Sequence, residues 1–136
     1  MATRSNIGIV NLDKSITAIY VHWGGYPEFV GKMLLNHYNN DDIVNGLMNL
    51  GDLSILSENM NPTEPHSFNN PQKGVCVAYG RDRGDGGSDS RTFEDLGEYE
   101  HFGSGVDYQY LFEDGKWMYR STYKGGWSDL TPEICK

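Results

Sequence analysis

Asp114-Gly115 sits between two runs rich in aromatic and branched residues, Val106 to Glu113 and Lys116 to Thr122. An Asp-Gly pair suits the positive-φ positions of a two-residue type I′ turn, so the runs are expected to fold back on each other as a hairpin. So short a turn also fixes the register. Phe112 then opposes Trp117, and Tyr110 opposes Tyr119, on one face. Leu111 opposes Met118, and Gln109 opposes Arg120, on the other. Aromatic pairs gathered on one side predict burial there. Arg120 should emerge beside Gln109, over a floor of Leu111 and Met118.

A second constraint lies between Ile19 and Lys32. The alternation of Ile19 and Val21 with Tyr20 and His22 predicts a strand over Thr17 to Trp23. Gly24-Gly25 suits a tight turn, and Pro27 and Glu28 suit the first turn of a helix. A strand end, an aromatic pair and a helix start brought together predict a place for an anion.

Phe29, Val30, Met33, Leu34 and His37 or Tyr38 repeat at helical spacing, so Glu28 to Tyr38 reads as a helix. Asn39 to Asp42 offers caps for a second helix, Ile43 to Leu50, that Gly51 stops. So short a link predicts an antiparallel pair. Val75 to Tyr79 reads as a short buried strand. Met1 to Ser15 is mixed and polar, a loosely ordered leader. Residues 58–74, with Pro62, Pro65 and Pro71, and residues 80–90, with four glycines, read as loops. A single domain over 1–136 follows. The expected class is α+β: an N-terminal strand, two short helices and an antiparallel sheet with a C-terminal hairpin.

Charge and motifs exclude several functions. A net charge of −8 opposes stable nucleic-acid binding, which needs a basic stripe. No signal peptide or membrane-spanning apolar run is evident. Cys76 and Cys135 form no CxxC pair and are expected to be free thiols in a reducing cytosol. From Thr92 to Gly115 there is no Lys or Arg, whereas Glu94, Asp95, Glu98, Glu100, Asp107, Glu113 and Asp114 are acidic. This span is a solubilising face, an acidic docking face or a nucleic-acid mimic. The four histidines lack metal-ligand spacing, and Asp82, Asp85 and Asp89 lack the calcium-loop pattern, so no metal is expected. With no GxSxG elbow, no P-loop and no distinct carboxylate pair, no catalytic residue or cofactor is expected either.

A binding site remains. Arg81 and Arg83 lie in a glycine-rich stretch after a strand, and guanidinium forks suit phosphate oxygens. Arg120 joins them from the hairpin, while Tyr79, Trp23, Tyr26 and Phe93 offer faces for stacking on a base. The alternative is that the arginines neutralise Asp82, Asp85 and Asp89 and that the aromatics belong to the core.

His22-Trp23-x-Gly25-Tyr26-Pro27, Gly31-Lys32-x-Leu34-Leu35-x-x-Tyr38, Leu50-Gly51-Asp52-Leu53-Ser54 and Arg81-Asp82-Arg83-Gly84 resemble a family of small proteins of tailed bacteriophages. The hairpin, Tyr110-Leu-Phe-x-x-Gly-x-Trp117, resembles it too, and the likeness covers most of Ile16 to Trp127. The family is similar to the Thoeris anti-defence sponges, which capture cyclic nucleotide signals of bacterial immunity. The resemblance implies a homo-oligomer in the host cytoplasm during infection, with pockets at subunit interfaces. These would hold a cyclic ADP-ribose isomer or cyclic oligonucleotide without cleaving it. Arg81, Arg83 and Arg120 would contact phosphate, and Phe93 or Tyr79 would stack on a base. The competing expectation is an acidic inhibitor that docks on a host nucleic-acid-binding protein.

Overall fold

The structure, a computed structural model, describes residues 2–136. Strands β1 (Ser5–Val10) and β2 (Ile16–Val21) form a hairpin, followed by a π-helical turn (Pro27–Gly31) and two helices, α1 (Lys32–His37) and α2 (Asp41–Leu50). Strands β3 (Leu53–Ile55) and β4 (Val77–Ala78) lead into α3 (Tyr79–Arg83), β5 (Arg91–Phe93), α4 (Leu96–Phe102) and a 3-10 turn (Gly103–Gly105). The hairpin β6 (Tyr108–Glu113) and β7 (Lys116–Ser121) follows, then β8 (Ser128–Asp129). All strands join one sheet in the order β4-β3-β2-β1-β6-β7-β8, with β5 also on β2. The class is α+β. Beside its antiparallel pairings the sheet has two parallel ones, β1 with β6 and β2 with β3.

The hairpin register is the one the Asp-Gly turn demands, with Phe112 opposite Trp117 and Gln109 opposite Arg120. Alternation along the strands then separates two faces. One carries Ile7, Ile9, Ile19, Val21, Tyr110, Phe112 and Trp117 against Val30, Leu34, Tyr38, Val44 and Leu47 of the helices. The other is smaller: Ile16, Ala18 and Leu111 pack around Tyr99 of α4, flanked by Phe93, Phe102 and Trp127.

The leader expectation is overturned. Met1 lies outside the described residues, but Ser5 to Ile9 are buried, and β1 is a central strand between β2 and β6. Asn6 finds its partner on the smaller face, where its Oδ1 accepts a hydrogen bond from Gln109 Nε2 at 3.0 Å. The start of β1 also explains the double glycine. A Cβ on Gly25 would lie 2.8 Å from Thr3 O, and Gly25 N donates to that same oxygen. The glycine therefore admits the incoming backbone.

Residues 80–90 are not loop throughout, because α3 occupies their first part and ends at Gly84. The expected strand over Val75 to Tyr79 shrinks to Val77–Ala78, with Tyr79 opening α3. The acidic span holds an unforeseen helix, α4. Asp95 accepts a hydrogen bond from Glu98 N, and Glu98 accepts one from Glu94 N, so two of its charges cap a helix start. No helix among the described residues is long and apolar enough to cross a membrane.

Candidate functional site

The sequence placed three arginines at one site; the fold divides them. Arg81 and Arg83 sit on α3 beyond β4, whereas Arg120 lies on β7, five strand positions away across the sheet. At the usual interstrand spacing that is roughly 24 Å along the sheet.

Arg81 is occupied by its own surroundings. Its Nε donates to Asp82 Oδ1 at 2.9 Å, one Nη donates to Cys76 O at 2.7 Å, and the other donates to Met60 O. It thereby ties the irregular residues 58–74 to α3, together with the Phe68 N–H bond to Asp82 O. Burial pushes the Asp82 carboxyl up, but Arg81, the Ala78 amide and His66 together hold it below the usual carboxylate value. His66 Nε2 lies 3.1 Å from Asp82 Oδ2 and adds to that lowering. Arg83 forms a two-pronged pair with Asp85, its shortest contact 2.6 Å, and lies over the rings of Phe68 and Tyr79. Both guanidinium groups are spent on neighbours, and the ring of Tyr79 faces Arg83 and Phe68.

The turn after β2 is not an anion site. Its amides bond inward, Gly25 N to Thr3 O, Phe29 N to Tyr26 O and Val30 N to Gly24 O. Trp23 and Tyr26 are exposed; Trp23 packs edge-on to His22 and Tyr26 against Phe29. Phe93 is half-buried against Tyr99 and Phe102 and lines an apolar hollow of about 630 Å³ with His101.

Arg120 differs from the other two. Its side chain lies on the smaller face of the sheet, where one Nη donates to Gln109 Oε1 at 3.2 Å. Gln109 is buried and held by Asn6 and by the Tyr99 carbonyl, so it presents that oxygen rigidly. The guanidinium stands 6.0 Å from the ring of Trp127, which stacks on Tyr99. No carboxylate pairs with it among the described residues, and its Nε is buried with no acceptor. A buried donor without a partner is costly, and the second Nη makes no bond among the described residues, so this guanidinium keeps donor capacity for a ligand.

The cleft beside Arg120 encloses about 460 Å³ between the Gly103–Gly105 turn and the β7 end, with Ser104, Asp107, Thr122 and Tyr123 on its rim. The turn lies directly on Gln109: a Cβ on Gly103 would come 2.4 Å from the Gln109 side chain. Glu100 and Asp107 bring negative charge, but each already accepts a donor, Glu100 from Trp127 Nε1 and Asp107 from Tyr123 OH. A bare anion is therefore poorly matched. An anionic group flanked by hydroxyl or N–H donors is matched better.

Sequence reasoning missed a further pair. Arg91 holds Asp52 through two bonds of 2.9 Å, and Asp52 Oδ1 also accepts from Tyr20 N. The signal was Asp52 in the Leu50 to Ser54 motif, an acid flanked by buried apolar residues that needed a cation from elsewhere.

Cys76 is closed off as a nucleophile. Burial pushes the Cys76 thiol up, and its sulfur contacts Tyr38 OH and Ser57. Among the described residues no three His, Cys, Asp or Glu side chains converge as a metal cage. The fold and site define a single-sheet α+β protein with an arginine-bearing cleft on its less covered face. No family model, curated protein or solved structure matches the chain.

Proposed function

We propose that the protein is a non-enzymatic capture protein for a small phosphate-bearing ligand of the cyclic nucleotide or cyclic ADP-ribose class. In this reading it works in the host cytoplasm during phage infection, withdraws an immune signal, and does so as a homo-oligomer with the ligand held at subunit interfaces. Arg120 carries the proposal: it is the one of the three expected arginines whose guanidinium has no carboxylate and whose Nε lacks an acceptor. A phosphate oxygen pairs with the unbonded Nη of this guanidinium, and ribose hydroxyls suit the acceptors Asp107 and Glu100.

Thermal unfolding with cyclic di- and trinucleotides and ADP-ribose isomers tests this. A ligand at 100 times its dissociation constant adds about 2.7 kcal/mol, roughly 10 °C in Tm for a chain of this size. Arg120→Met should abolish the shift, and heat-released ligand should be chemically intact. No shift with any of these compounds would sink the reading, and native mass spectrometry of the same samples reports subunit count.

The acidic-inhibitor reading keeps one specific support. A hollow of about 740 Å³ at one end of the sheet gathers Asp13, Asp41, Asp42, Glu113 and Asp114, with Lys14 paired to Glu113, over an apolar floor of Ile9 and Phe112. The Thr92 to Gly115 span serves it less well, since Asp95, Glu98, Glu100 and Asp107 all accept internal hydrogen bonds.

A further inference from the structure

The smaller face of the sheet carries a polar row that crosses four strands. Tyr20 of β2 is opposite Asn6 of β1, Asn6 is opposite Gln109 of β6, and Gln109 is opposite Arg120 of β7. The middle of this row is buried under the Gly103–Gly105 turn, while Tyr20 and Arg120 at its two ends are only partly covered. Arg120 opens into the cleft described above. At the Tyr20 end lies a second hollow of about 300 Å³, lined by Arg4, Asn6, Tyr20, Asp52, Arg91 and Phe102 among others. The two hollows share the rim residues Gly105 and Val106.

The second hollow contains two guanidinium groups and one carboxylate. Asp52 is committed to Arg91 and to the Tyr20 amide, and Arg91 lies 5.3 Å from the centre of the Phe102 ring. Arg4 is exposed, and its guanidinium takes no carboxylate among the described residues. Tyr20 OH is fixed 2.7 Å from His22 Nδ1. In a chain of net charge −8, a hollow with an excess of positive charge stands out as an anion site. Asp107, which lines the Arg120 cleft, accepts from the Arg4 backbone N–H and from Tyr123 OH, so a carboxylate stands on the Arg4 side of that cleft.

We infer that Arg4, whose guanidinium takes no carboxylate among the described residues, forms a second anion subsite of the Arg120 cleft beside the Arg91–Asp52 pair. The captured ligand is then an elongated molecule with an anionic group at each end and hydrogen-bond donors at its centre. The inference rests on the Arg120 reading. Arg4 immediately precedes β1, which lies two strand spacings from β7, about 10 Å across the sheet. Joining two weak anion contacts in one molecule raises affinity because the second contact forms at high effective concentration.

A molecular ruler tests this without knowledge of the natural ligand. Affinity is measured calorimetrically for a series of α,ω-alkanediol bisphosphates of increasing length and for a simple alkyl monophosphate. The expected result is an affinity that peaks at an intermediate length, roughly tenfold or more above the monophosphate. Arg4→Gln, on an exposed side chain, should flatten the length dependence to the monophosphate level, whereas Arg120→Gln should weaken every compound. If length has no effect and Arg4→Gln changes nothing, while Arg120→Gln still abolishes monophosphate binding, the second subsite is overturned and the Arg120 reading stands. If no compound binds, both fall.

Discussion

Arg81 and Arg120 are the same residue type in opposite situations. Arg81 sits on a short helix beside Asp82, and a helical or turn backbone lets it fold onto a chain neighbour and two carbonyls. Arg120 sits on a strand, where Tyr119 and Ser121 point to the other face, so its partners must come from across the sheet. There it meets Gln109, which is neutral, and its Nε is left without an acceptor. An arginine in a glycine-rich, aspartate-rich loop is thus poor grounds for a phosphate site, because the aspartates reach it first. One on a strand, opposite a neutral residue, is better grounds.

The comparison predicts opposite consequences for stability and binding. The largest stability loss is expected for Arg81→Ala. It leaves the buried Asp82 carboxylate short of its cation and two carbonyls without donors, about 3 kcal/mol by urea unfolding, with ligand affinity unchanged. A loss under 1 kcal/mol would mean the clasp on residues 58–74 is decorative. Arg91→Met should come next at about 2 kcal/mol, less than a fully buried pair because Arg91 is 38% exposed while Asp52 is 9% exposed.

Arg120→Met is expected to cost only about 1 kcal/mol, since it removes one hydrogen bond to Gln109 and also one unpaired donor, yet it should abolish ligand binding. Arg83→Ala should leave Tm unchanged, because its pair with Asp85 is exposed. The smallest effect is on acid stability. Asp82 sits below its ordinary value of 3.8, so its contribution is intact above about pH 4 and fades as pH falls through the lower folded value. Asp82→Asn should therefore narrow its deficit relative to wild type between pH 5 and pH 2, values chosen to bracket roughly that window. A constant deficit would contradict the assignment.

Much of the sheet was legible. The Asp-Gly turn gave the β6–β7 register residue by residue, and Asn40 and Gly51 bracket α2 as capping chemistry requires. The central strand was not legible, because Ser5, Asn6 and Gly8 look like part of a leader. Asn6 is explained only by Gln109, over a hundred residues away, and Gly8 only by Tyr99 packing against it. Helix α4 was hidden because a count of its charges obscured the Asp95 cap and the Tyr99–Phe102 spacing. At the site, the sequence identified Arg120 correctly as a strand residue beside Gln109, but it could not tell that the other two arginines would be consumed locally. Arg4 and Arg91 escaped notice because the first lay in the supposed leader and the second beside an acidic run.

The most direct test of the account follows the arginine Nε–Hε signals by ¹H–¹⁵N NMR during titration with ADP-ribose or a cyclic dinucleotide. The account predicts that the Arg120 signal moves strongly and becomes protected from exchange, with Arg81 and Arg83 stationary. Movement of Arg81 and Arg83 while Arg120 stays fixed would contradict it.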